Sequence, residues 1–106
     1  MDLVIKNARL RPRMYGLNGS FSDYVAFLVG YDTGLAGSLL GGFSEWVAHK
    51  SDGVGSNLFW PYLVLRESGV YDWAGFDWHQ LNSDDDACAV ERLFQLLEEF
   101  EQRKQD

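Results

Sequence analysis

A chain of 106 residues with 46% hydrophobic and 15% aromatic content has the mass of one domain and enough apolar side chains for one core, which excludes a disordered chain. The formal charge of −7 argues against nucleic acid as a partner. Apolar runs stay short of the ~18 residues of a membrane span, and Met1-Asp2-Leu3-Val4-Ile5-Lys6 lacks the basic-then-apolar order of a secretory signal, so the expectation is a cytoplasmic protein with no membrane partner. Cys88 stands alone and has no partner for an internal disulfide, in agreement with a reducing compartment.

The charge is unevenly spread. Residues 1–20 hold Lys6, Arg9, Arg11 and Arg13 against Asp2, a net of +3, which leaves −10 for residues 21–106. From Glu67 to Glu91 there are seven carboxylates (Glu67, Asp72, Asp77, Asp84, Asp85, Asp86 and Glu91) and no Lys or Arg. Such a field steers basic partners toward it, and it also serves plain solubility.

In chain order, Leu3 to Leu10 suits a short helix or strand, and Pro12 and Gly16 stop regular structure in Arg11-Pro12-Arg13-Met14-Tyr15-Gly16. This segment resembles part of the ATPase subunits of type II topoisomerases, but no nucleotide-binding motif follows it, which discounts an ATPase. Met14 and Tyr15 read instead as a packed hinge, with the arginines paired to surface acids. Ser20 and Ser22 are candidate caps for a helix over 20–33 whose apolar face is Phe21, Tyr24, Val25, Leu28 and Tyr31. Gly30 and Gly34 weaken and end it.

Leu39, Leu40, Phe43, Trp46 and Val47 continue at helical spacing and predict a second helix over 38–50, with Gly41 and Gly42 marking a start or a close backbone contact. The glycines from Gly30 to Gly42 are too irregular, and lack the Lys-Ser/Thr, for a phosphate loop. After the loop residues 51–56 comes Leu58-Phe59-Trp60-Pro61-Tyr62-Leu63-Val64-Leu65, an uncharged run around which the fold must form. Pro61 is tolerated in a first helical turn and not in a central strand, so a buried helix over 58–67 is expected, with a strand as the alternative.

Tyr71-Asp72-Trp73 and Phe76-Asp77-Trp78 repeat an aromatic-Asp-Trp unit within an irregular connection. Ser83-Asp84-Asp85-Asp86 then opens the longest helix, over 84–104, with serine as cap and carboxylates at the positive end of the dipole. Its buried face is predicted as Ala87, Val90, Leu93, Phe94, Leu97 and Phe100. The fold expectation is mainly α: a single domain over 1–106, built as a small bundle of about four to five helices.

No catalytic signature emerges. Cys88 with His49 or His79 can make a thiol–imidazole pair, but among Ala87, Ala89 and Val90 a small buried cysteine is the ordinary role. Asp77, His79 and Cys88 lack a fourth zinc ligand and a recognised spacing. No metal, no cofactor and no enzymatic activity are therefore expected. Asp72 and Asp77 must face water or a partner, because unpaired burial costs too much, whereas Trp73 and Trp78 either finish the core or anchor an interface.

Three segments taken together carry a resemblance: Arg11-Pro12-Arg13-Met14-Tyr15, Phe27-Leu28-Val29-Gly30-Tyr31 and Gly42-Phe43-Ser44-Glu45-Trp46-Val47. In this order they resemble small bacterial proteins of polymorphic toxin systems, including immunity proteins of contact-dependent growth inhibition. The resemblance covers about the first half of the chain, and Gly16 stands where a further apolar residue is the pattern. It implies a protein that neutralises a toxin by binding it. Charge then implies a basic, nuclease-type toxin domain as partner, met by Asp72, Trp73, Asp77, Trp78, Asp84, Asp85 and Asp86. The alternatives are a small ligand-binding or enzymatic helical domain, or an acidic adaptor for a basic cellular protein.

Overall fold

Among the described residues five α-helices and one 3₁₀ turn form: α1 (Leu3–Leu10), the 3₁₀ turn Pro12–Tyr15, α2 (Phe21–Gly34), α3 (Phe43–His49), α4 (Trp60–Ser68) and α5 (Ser83–Gln105). The computed structural model describes residues 3–50, 59–69 and 81–105, and no strand forms among them. The mainly α expectation holds, and Leu3–Leu10 resolves as helix, with Ile5 and Ala8 turned into the core.

The apolar run behaves as Pro61 dictates. Phe59 is extended (φ −63°, ψ 136°) and α4 begins at Trp60, so the proline ring occupies a first-turn position where no N–H is required. Leu63, Val64 and Leu65 are fully buried, and Leu58 lies outside the described residues. α5 is the element on which the others rest, packing against α2, α3 and α4. Ala89, Leu93, Phe94, Leu96, Leu97 and Phe100 form its buried side. Between α3, α4 and α5 the Phe43 ring meets Trp60 at 5.8 Å and Phe100 at 5.2 Å, both edge-on.

Three sequence expectations are corrected. The helix expected over 38–50 starts only at Phe43, because the chain after α2 is held in turns by one side chain: the Leu39 and Leu40 N–H groups donate to Asp32 Oδ1 at 3.1 and 2.7 Å. Gly42 (φ 84°) then turns the backbone left-handed as the cap of α3, a conformation that favours glycine. Helical spacing at Leu39 and Leu40 was real, but burial there comes from packed turns.

The second correction concerns α5. Ala87 is exposed, and so is Cys88, against the expectation of a small buried thiol; Ala89 and Leu96 take the buried positions instead. The cap is Asn82 and not Ser83, since the Asp85 N–H donates to Asn82 Oδ1 at 2.8 Å. At α2 the choice between two serines falls on Ser20, whose Oγ accepts from the Asp23 N–H.

The third lies at the N-terminal segment. Met14 is 68% exposed and does not pack as a hinge, although Tyr15 sets its ring edge-on against Phe27 at 5.7 Å. Among the described residues Arg9 finds an acid, pairing with Glu91 at 3.2 Å, whereas Arg11 and Arg13 are exposed and form no ion pair.

Candidate functional site

The acidic head of α5 holds three of the five described carboxylates of the stretch, and the structure gives these aspartates different work. Asp85 is tied to the cap: its N–H and Oδ2 both engage the Asn82 amide, the latter at 3.1 Å. Asp86 reaches across to α2, where the Phe21 N–H donates to its Oδ1 at 2.6 Å. Phe21 is the first residue of α2, so this N–H is one of the donors a helix start leaves without a partner. A carboxylate there also complements the dipole of α2. Asp84 points into solvent and makes no hydrogen bond among the described residues.

Beside these groups the starts of α2 and α5 frame a shallow groove of about 560 Å³, walled by Asn18, Ser20, Ser83, Asp86, Val90 and Glu91. Its lining carries carboxylates, hydroxyls and an amide. Ser20 Oγ is engaged in capping. Among the described residues no group of three or more His, Cys, Asp or Glu side chains is placed to hold a metal ion. Cys88 is exposed on α5 and His49 is exposed at the end of α3, while Asp77 and His79 lie outside the described residues. What the groove offers chemically is hydrogen-bond acceptance and negative potential.

A further carboxylate of the stretch also serves the fold. Glu91 accepts from Arg9, whose guanidinium also lies 5.2 Å from the Phe94 ring centre, so Arg9 stitches α1 onto α5. Next to it the buried Tyr24 hydroxyl donates to the Ala8 carbonyl at 2.8 Å, and its ring stands edge-on to Phe94 at 4.9 Å. Burial raises the Tyr24 phenol pKa above its ordinary value, with the Arg9 charge opposing in part.

Of the seven sequence-predicted contact residues, Asp84, Asp85 and Asp86 thus sit together at one end of α5, and Asp72, Trp73, Asp77 and Trp78 lie outside the described residues. Sequence reasoning missed Asp32, Asn82 and the Arg9–Glu91 pair. For Asn82 a signal existed, an Asn three residues before an acid at a helix start. For the other two none did, since a backbone turn and a contact 82 residues apart leave no local pattern. None of the described helices is long and apolar enough to cross a membrane. No protein-family model, no curated protein and no solved structure matches this chain.

Proposed function

We propose that this chain is an immunity protein that binds a basic, nuclease-type toxin domain and blocks its active site. The observation that carries the reading is the run of seven carboxylates from Glu67 to Glu91 without a single Lys or Arg, in a chain whose first half resembles such proteins. A nuclease site is built to hold phosphates, and carboxylates presented on a rigid helix start compete for the same cations. Exposed Asp84, together with Asp85 and the acids at Asp72 and Asp77, supplies steering; Trp73 and Trp78 supply anchors. Asp86 adds its charge to the field while its Oδ1 serves α2.

Co-expression with the toxin encoded immediately upstream, scored by growth, tests the proposal. Protection and a stable complex on gel filtration are expected, with no turnover by the chain itself. Neutralising Asp72, Asp77 and Asp84 together should slow association and flatten its salt dependence, whereas Trp73→Ala or Trp78→Ala should speed dissociation. Absence of both protection and complex refutes it and leaves the ligand-binding and adaptor alternatives.

A further inference from the structure

Between Asp2 and Asp23 the chain places Lys6, Arg9, Arg11 and Arg13 and no carboxylate. The same stretch holds Leu3, Leu10, Met14 and Tyr15, four of the seven large apolar side chains exposed among the described residues, and the first three are the most exposed of the seven. Positive charge and uncovered apolar surface therefore coincide on one segment of an acidic chain.

Contacts inside the chain fix how α1 is rolled. Ile5 and Ala8 are buried, the Tyr24 hydroxyl holds the Ala8 carbonyl, and Arg9 is tied to Glu91 at 3.2 Å. The opposite side of α1 carries Leu3, Lys6, Asn7 and Leu10, at the i, i+3, i+4, i+7 spacing of one helical face, and its two leucines are 70% and 76% exposed. Arg11, Arg13 and Met14, all exposed, follow directly after Leu10. In a chain with 16 carboxylates, Lys6, Arg11 and Arg13 make no ion pair among the described residues, whereas Arg9, Lys50 and Arg92 each find an acid.

We propose that this surface docks on an anionic lipid surface, with Leu3 and Leu10 entering the headgroup layer and Lys6, Arg11 and Arg13 meeting the lipid phosphates. Charge and apolarity choose the occupant together. A polyanion such as nucleic acid matches the cations but leaves the two leucines and Met14 in water. A second copy offers carboxylates on α5, yet among the described residues α5 exposes no large apolar side chain to receive the leucines. An acidic polypeptide needs a groove, and the hollow beside α1, about 360 Å³, sets Glu98 on its wall together with Lys6, Arg9 and Leu10. A bilayer of anionic lipid supplies phosphate and hydrocarbon side by side, and its fluid surface receives protruding side chains without a preformed pocket. Such contact needs no spanning helix.

The acidic remainder sets the orientation. Residues 21–106 carry −10 and are repelled by the same lipids, so the chain approaches with α1 foremost, and beyond about 8 Å that repulsion is screened at physiological salt. Each cation at the surface contributes about fivefold in affinity, and a leucine side chain leaving water about tenfold, so the contact is reversible and salt-sensitive. None of these side chains belongs to the proposed toxin contact, so this inference does not rest on that reading.

Co-sedimentation of the full chain with vesicles of phosphatidylcholine containing about 30% phosphatidylglycerol tests this, beside vesicles of phosphatidylcholine alone. Binding is expected to the anionic vesicles and not to the neutral ones. Arg11→Gln with Arg13→Gln should weaken it about 25-fold, whereas Lys50→Gln with Arg103→Gln, which changes the net charge equally elsewhere, should leave it within about twofold. Leu10→Gln should cost about tenfold, and because that side chain is exposed the fold persists, which circular dichroism of every variant checks. Failure to bind anionic vesicles, equal loss in the two charge pairs, or no loss with Leu10→Gln would overturn the proposal. So would polyglutamate binding the chain as tightly as the vesicles do, which would assign the surface to an acidic polypeptide.

Discussion

Replacing Asp86 with alanine separates its role in the fold from the steering role it shares with Asp84. The Phe21 N–H beside it is part-buried at the start of α2, next to the groove that Asp86 walls, so water replaces the lost oxygen only in part. A hydrogen bond to a charged acceptor contributes about 1.5–3 kcal/mol, and the loss of a carboxylate at the positive end of α2 adds about 0.3–1 kcal/mol. The sum is roughly 2–4 kcal/mol, a large part of the ~5–15 kcal/mol a domain possesses. With an unfolding entropy near ~2.1 cal/mol/K per residue, a chain of this length should lose about 10–20 °C in Tm. Asp84→Ala removes only an exposed charge near the start of α5, worth about 0.5 kcal/mol, or ~2 °C. Asp86→Asn keeps an acceptor oxygen and should fall between them. Thermal melts followed by circular dichroism give all three values. If Asp86→Ala melts within about 2 °C of Asp84→Ala, the bridge to α2 carries no stability and the reasoning fails.

Leu63→Ala, at a fully buried position of α4, should cost about 2–5 kcal/mol in urea unfolding through lost burial and a cavity. Tyr24→Phe strands the Ala8 carbonyl and should cost about 0.5–1.5 kcal/mol near neutral pH. Because burial raises the Tyr24 pKa above 10.0, the folded state holds this proton more tightly, so its contribution is whole below that pH and is lost as pH rises further; melts above pH 10 should fall less steeply in the phenylalanine variant. Two glycines should respond with opposite signs. A Cβ at Gly41 would stand 2.8 Å from the Gly37 carbonyl oxygen, so Gly41→Ala should destabilise by about 1–3 kcal/mol, whereas Gly30→Ala, opening into free space, should stabilise the fold by up to ~1 kcal/mol in the same chemical denaturation.

Helix identity was legible wherever the cause is local. The spacing of Phe21, Tyr24, Val25 and Leu28 names a helical face, Pro61 marks a first turn, and the three aspartates after Ser83 mark a helix start, because each signal acts within one or two turns of the chain. Where the cause crosses the fold, sequence was silent. Leu39 and Leu40 carry a helical pattern, yet Asp32 captures their N–H groups and holds turns in place of a helix. The three consecutive aspartates look alike in the chain, and whereas Asp85 meets Asn82 three residues away, only tertiary placement makes Asp86 a partner for the start of α2 and leaves Asp84 facing solvent. Cys88 and Ala87 show the same limit, since small residues along α5 fit either side and the neighbours that α5 meets decide which is covered. Residue spacing and charge order established a helical, acidic chain with its carboxylates gathered between Glu67 and Glu91; which of those charges remain available to a partner is decided by contacts such as Arg9 with Glu91, between residues far apart in sequence.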